Sequence, residues 1–170
     1  MKYLVASDIH GDTKVCQQII DKFFEEKADK LVLLGDLLYH GPRNDLPANY
    51  APKKVIEQLN DLKDKIIAVR GNCDAEVDQM VLKFPIMAEY VYLFSGDVTI
   101  FATHGHHYGK DNPPSLPSNA VLLNGHTHVA MDIQMDGFRY MNPGSPSIPK
   151  EGTKPSYIII EDGILTLKAF

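Results

Sequence analysis

The chain alternates short apolar runs with helical patterns, and most of those runs stop at a glycine flanked by Asp, His or Asn. Lys2 to Ala6 reads as a short buried strand. Lys14 to Ala28 carries Val15, Ile19, Ile20, Phe23 and Phe24 at helical spacing, with Asp12 or Thr13 as its cap. Lys30 to Leu34 is a second buried strand. Ala51 to Leu62 is a second helix, with Pro52 at a natural first position and Val55, Ile56, Leu59 and Leu62 on one face. Lys65 to Val69 is a third strand. A βαβαβ order requires parallel strands with helices packed on them.

After Asp74 the pattern changes. Glu76 to Leu82 has the length of a short helix, and Ala120 to Leu123 that of a buried strand. Val91 to Phe94 and Val98 to Thr103 flank Ser95-Gly96-Asp97. Met131 to Met135 and Phe138 to Met141 flank Asp136-Gly137, and Tyr157 to Glu161 and Ile164 to Ala169 flank Asp162-Gly163. Asp-Gly between apolar runs signals a hairpin. The expected fold is α/β: a parallel half and a more antiparallel half, with two sheets in face contact. At 170 residues the chain suits one domain, 1–170. The stretches Tyr39 to Tyr50 and Asp111 to Pro117 read as surface loops.

What ends each strand points to chemistry. SDIHG follows the first run with Asp8 and His10. GDLLYHG follows the second with Asp36, and RGNCD the third with Asn72. HGHH follows Thr99 to Thr103 with His104, and NGHTH follows Ala120 to Leu123 with His126 and His128. The C-terminal edge of an open α/β sheet is where ligands bind. Taken singly, each residue has an ordinary structural explanation as a turn former, cap or buried histidine. Jointly that explanation fails, because seven metal-competent side chains recur at equivalent strand ends. Gly11, Gly35, Gly71, Gly105 and Gly125 accompany them, as sharp turns and close approach require.

Seven ligands are too many for one metal. If Asp36 bridges through its two oxygens, eight protein bonds result, four per ion. Asp8–His10 and His126–His128 are i,i+2 pairs, which extended backbone would project to one face. The donor set is oxygen and imidazole, without thiolate. It suits Mn²⁺, Fe or Zn²⁺, and four imidazoles disfavour Mg²⁺. Two carboxylates against two divalent ions leave the site net positive inside a chain of formal charge −5, which suits a phosphate ester.

That acidic balance, 17 Lys+Arg against 22 Asp+Glu, disfavours a broad grip on a nucleic-acid polymer or an anionic membrane. No apolar run approaches the ~18 residues of a membrane span. The four apolar residues after Lys2 are too few for a secretory leader. Cys16 and Cys73 form no metal-binding pair, and a reduced, cytoplasmic chain is expected.

SDIHG, GD, GNCD, THGH and GHTH match, in order and spacing, the calcineurin-like metallophosphoesterases, and the chain resembles that superfamily from Lys2 to about Ser147. HGPRNDLP, YAPKKV, RGNCDAEVDQM and NPGSPSIPK are similar to its small bacterial YfcE-type phosphodiesterases. The resemblance implies a two-sheet β-sandwich flanked by helices. It implies a first metal on Asp8, His10, Asp36 and His128, and a second on Asp36, Asn72, His104 and His126. Mn²⁺ is the expected ion, with Fe or Zn²⁺ as alternatives. A metal-bridged hydroxide would be the nucleophile, with Asp36, Asn72 and His104 closest to the chemistry. The resemblance also implies a homodimer or homotetramer.

One position departs from the superfamily pattern. Where many members carry His after the metal-binding Asn, as a general acid or substrate clamp, this chain has Cys73, a weaker proton donor. That disfavours poor leaving groups and leans toward a small phosphodiester as substrate. Around the site, Arg43 could clamp phosphate or simply be solvated in its loop, His40 could line the pocket or orient a ligand, and His106 could reach substrate or support a ligand. Arg70 could orient Asp36, and Asn142-Pro143-Gly144-Ser145 reads as a turn supporting the GHTH loop. A phosphomonoesterase, a nucleotide pyrophosphohydrolase and a non-catalytic protein-binding scaffold of the same fold are the competing readings. The complete ligand set weighs against the scaffold.

Overall fold

The computed structural model describes residues 1–170. Strand β1 (Tyr3–Ala6) is buried along its whole length, as an unalternating apolar run covered on both faces must be. It pairs in parallel with β2 (Lys30–Leu33), which pairs in parallel with β3 (Ile66–Ala68). Between them α1 (Thr13–Glu25) begins where Asp12 Oδ1 accepts from the Lys14 and Val15 amides. Helix α2 (Pro52–Asn60) carries proline in its first turn. Both helices lie on one face of this sheet. Val15, Ile19, Phe23, Val55 and Leu59 pack there with Leu4, Ala6, Leu31 and Leu33. The alternate side chains of the same strands, Tyr3, Val5 and Val32, face the second sheet.

The helix α1 is shorter than its apolar pattern. Lys27 turns left-handed (φ 53°), the Ala28 amide returns to the Phe23 carbonyl, and Phe24 points outward, 61% exposed. Helix α3 (Glu76–Gln79) is a single turn that relaxes into an irregular turn before Leu82.

The hairpins form as expected: β4 (Tyr90–Ser95) with β5 (Val98–Thr103), β7 (Ala130–Gln134) with β8 (Phe138–Pro143), and β9 (Ser156–Glu161) with β10 (Ile164–Ala169). Their grouping corrects the division into parallel and antiparallel halves. Sheet orders are β10-β9-β1-β2-β3 and β4-β5-β6-β8-β7, with β6 (Ala120–Leu123) between β5 and β8 and parallel to both. The last hairpin returns to the first sheet, with β9 antiparallel to β1. Each sheet is therefore mixed. Asp-Gly turns fix only local partners, whereas β6, buried at all four residues, needs a neighbour on each edge. Leu93, Ile100, Val121, Leu123 and Met141 close the layer between the sheets against Val5, Val32, Ile158 and Ile160.

No helix is long and apolar enough to cross a membrane. Cys16 and Cys73 are both free, Cys16 in the core and Cys73 partly exposed.

Candidate active site

The loops that leave β1, β2, β3, β5 and β6 meet at one rim, tied by hydrogen bonds within each sheet and across the sandwich. Within the sheets the Gly125 amide donates to the His104 carbonyl and the Asp8 amide to the Gly35 carbonyl; across it His104 Nδ1 donates to the Leu34 carbonyl and the His126 amide to Asp8 Oδ2. Asp8, His10, Asp36, His126 and His128 all sit in the left-handed region, with φ between 51° and 64°. The i,i+2 pairs are thus not extended, which corrects that expectation; a kink at each residue turns the side chain inward. Left-handed backbone at a non-glycine residue costs on the order of 1–3 kcal/mol. Five instances among the candidate ligands show a site over-determined by its surroundings. Gly125 belongs to the same crowding, since any side chain there would meet Ser7 Oγ and Asp8 Oδ2.

Asp8, His10 and His128 form one buried group, with Asp8 Oδ1 at 3.3 Å from His128 Nε2 and 3.6 Å from His10 Nε2. Asp8 Oδ2 accepts from Ser7 Oγ (2.6 Å) and the His126 amide (2.9 Å). Its carbonyl accepts from Ser145 and Ser147, both at 2.8 Å. Asn142 Nδ2 donates to the Gly125 carbonyl at 2.7 Å. The NPGS turn therefore braces both the SDIHG and the GHTH loops.

Asp36 lies between that group and a second one. Its Oδ2 is 3.8 Å from His10 Nε2, and its Oδ1 is 3.5 Å from His104 Nε2. The Cys73 amide donates to Oδ1 at 2.9 Å. Asn72 Oδ1 stands 3.0 Å from His104 Nε2, and the His126 ring lies 5.0 Å from that of His104, centroid to centroid.

Three of the imidazoles have their outer nitrogen committed. His10, His104 and His128 donate through Nδ1 to the carbonyls of Tyr39 (2.7 Å), Leu34 (2.6 Å) and Ile148 (2.8 Å). In each neutral ring Nε2 is then a lone pair aimed into the site. Two such lone pairs, on His10 and His128, face each other at 3.1 Å. Asp8 Oδ1 is buried with no hydrogen-bond partner. Acceptors gathered this closely need positive charge among them, and the outer-nitrogen-to-carbonyl arrangement is that of metal-bound histidine. The residues present fit divalent ions. Protons are the weaker substitute. Burial resists charging His104, but the Asp36 carboxylate prevails and lifts it to about 9. His10 rises likewise beside Asp8. Burial would raise the Asp8 and Asp36 carboxyls, yet the pull of the neighbouring histidines in their protonated form holds both below the usual range.

A cavity of about 390 Å³ opens above this cluster, with Asp36, Asn72, His126 and His128 in its wall and Arg43 and Lys150 at its mouth. Arg43 is thus where a phosphate clamp would stand. Cys73 also lines it, its thiol pushed up to about 12 by burial and the adjacent Asp36. His40 does not line it. Its ring meets those of Tyr39 and Tyr50 edge to face, at 4.7 and 5.4 Å between centroids. His106 lines hollows on the other side of the histidine cluster, 5.3 Å from the His104 ring, and burial drives its own pKa down to about 4.

Residues 1–162 match the model of the calcineurin-like phosphoesterase superfamily domain. The chain belongs to that superfamily. This superfamily member is 47% identical over 169 residues to the phosphodiesterase YfcE of Escherichia coli K12, covering 99% of this chain and 92% of that one. The solved structure of YfcE, a phosphoesterase from E. coli, superposes with a TM-score of 0.96 over 99% of this chain and 93% of its own. Vacuolar protein sorting 29 from Cryptosporidium parvum shares the fold at 16% identity, with a TM-score of 0.61 over 98% of this chain and 95% of that one.

Two residues of this calcineurin-like site were not singled out from the sequence. Lys150 reaches the cavity because its amide donates to the His128 carbonyl at 3.1 Å. Its only signal was its place at the end of NPGSPSIPK. Asp74 is buried and accepts from the amides of Asp36 (2.8 Å), Leu37 (3.0 Å) and Gly71 (2.7 Å). It pins the GD loop to the GN loop, and Arg70 Nε donates to its carbonyl at 3.1 Å. Arg70 therefore acts on Asp36 only through Asp74. The signal for Asp74 was its place directly after the GNC motif.

Proposed function

We propose that this chain is a metal-dependent phosphodiesterase that hydrolyses small diesters at a dinuclear centre. Asp8, His10, Asp36 and His128 would hold one ion, and Asp36, Asn72, His104 and His126 the other. Mn²⁺ is the expected occupant, with Fe or Zn²⁺ as alternatives. One observation carries the reading: Asp36 offers one oxygen to each of two groups of inward-facing lone pairs. Bound in pairs, divalent ions supply water of lowered pKa as nucleophile and neutralise charge developing on phosphoryl oxygens.

The chain's own residues do the rest. Arg43 and Lys150 bring two cations to the cavity mouth, where they orient an anionic phosphoryl group. The carbonyls of Tyr39, Leu34 and Ile148 hold three imidazoles in the tautomer that presents Nε2. Cys73 occupies the position where many relatives have histidine, which favours diesters with good leaving groups over monoesters. The name of the E. coli relative agrees with that preference.

The test is to strip the protein with chelator, restore Mn²⁺, Fe²⁺, Zn²⁺ or Mg²⁺ singly, and assay a bis-aryl phosphodiester beside its aryl monoester. Metal-restored turnover favouring the diester supports the proposal. Preference for the monoester moves the assignment to a phosphatase, and no turnover with two ions bound moves it to a scaffold.

The same proposal includes a cytoplasmic protein that assembles as a homodimer or homotetramer. The open edge strands β4, with Tyr90, Tyr92 and Phe94 exposed, and β10, with Ile164 exposed, offer surfaces for it.

A further inference from the structure

The polar cavity over the candidate ligands has an apolar neighbour. Tyr39 and Cys73 line that cavity and also a second hollow of about 440 Å³, on the side of α2 and α3. The wall of the second hollow is mostly apolar, with Tyr50, Pro52, Ile56, Val77 and Val81, and carries Lys53 and Asp78 as its two charged side chains. Val77 and Val81 are 66% and 44% exposed, so they contribute little to the core and present their methyl groups to the groove. Tyr39 is held at the sill between the hollows by its edge contact with the His40 ring. Gly41 (φ 81°) leaves Cys73 Sγ uncovered there, because a side chain at position 41 would press on it.

We infer that this groove is the subsite for one ester arm of the substrate, and that the arm is a ring-sized apolar group. The inference deepens the phosphodiesterase proposal and rests on it. A phosphoryl group over the ligand cluster has the sill of Tyr39 and Cys73 beside it, so an arm leaving on that side enters the groove. A sugar or polyol arm would find partners only at Lys53 and Asp78 and would set its other hydroxyls against Ile56, Val77 and Val81. An apolar arm displaces water from those side chains. The volume is ample, since a cavity of about 150 Å³ accepts a benzene ring.

The test compares a bis-aryl diester with a methyl aryl diester on the metal-loaded protein. The variants are V77S/V81S and, as the conservative control, V77I/V81I. If the retained arm takes the groove, the bis-aryl KM lies below the methyl aryl KM. The serine pair should raise the bis-aryl KM about tenfold with kcat little changed, and the isoleucine pair should keep the wild-type value. If the leaving arm takes the groove, the serine pair raises KM for both esters. Unchanged KM for both esters in the serine pair overturns the groove assignment and leaves the phosphodiesterase reading standing. So does a fall in kcat that the isoleucine pair shares. Failure of the metal-loaded wild type to turn over either diester overturns both readings.

Discussion

The group of ligands around Asp8 and the group around Asn72 use similar side chains but are braced differently. Asp8, His10 and His128 are at most 2% exposed, and each outer atom is held: Asp8 Oδ2 by Ser7 and the His126 amide, the two imidazoles by backbone carbonyls. On the other side only His104 is buried and tied to a carbonyl. Asn72 is exposed, with its amide nitrogen 3.3 Å from Cys73 Sγ, and His126 is half-buried and lines the cavity. The ordering cost of the first group is met by folding, whereas the second must still order when an ion arrives. Under the proposed dinuclear centre, the difference predicts a tight ion on the Asp8 side and a weaker, substrate-facing one on the Asn72 side.

Asp36 is common to both groups, so Asp36→Asn should have the largest effect. We expect loss of both ions and a fall in diester turnover on the order of 10³-fold or more, measured by metal content and initial rates. Asp74→Asn should come next, because in either orientation it puts an amide nitrogen against at least one of three backbone donors in a buried place. A stability loss of about 2–4 kcal/mol by urea denaturation is expected. Ser7→Ala removes a brace found only on the Asp8 side. It should weaken the tighter ion roughly 10–100-fold and leave the weaker one unchanged, which sharpens the asymmetry.

The smallest effect is a control far from the site. Glu26 Oε1 accepts from Lys168 Nζ (2.8 Å) and Tyr157 OH (2.9 Å), and Lys2 Nζ lies 3.5 Å from Oε2. The Lys168 hydrogen bond in particular holds this carboxyl below its usual range against the opposing effect of burial. A carboxyl depressed by folding stabilises above its unfolded pKa of 4.5, and that contribution fades as pH falls through the lower folded value. Glu26→Gln should therefore cost about 0.5–1 kcal/mol at neutral pH, nothing in strong acid, and no metal affinity at any pH.

The strand ends were legible because Asp8, His10, Asp36, Asn72, His104, His126 and His128 follow apolar runs directly, and chain order alone places them at sheet edges. Helix starts were legible for a similar local reason, as with Asp12 and Pro52. What was hidden depends on distant partners. The parallel pairing of β6 with β5 and β8, and the return of β9 to β1, are decided by which strands need cover on two edges. The left-handed turns at Asp8, His10, His126 and His128 arise from packing between loops far apart in sequence, so alternation along an extended strand was the wrong geometry there. Lys150 and Asp74 carry ordinary charges; only the His128 carbonyl and the Asp36 amide, at the far ends of their hydrogen bonds, give them a role.

Calorimetric titration of the metal-stripped protein with Mn²⁺ tests the central claim most directly. The account predicts two ions per chain in two phases, with the tight phase lost in Asp8→Asn, the weak phase in Asn72→Ala, and both in Asp36→Asn. A single ion, or two equivalent ions indifferent to Asp36, would contradict it.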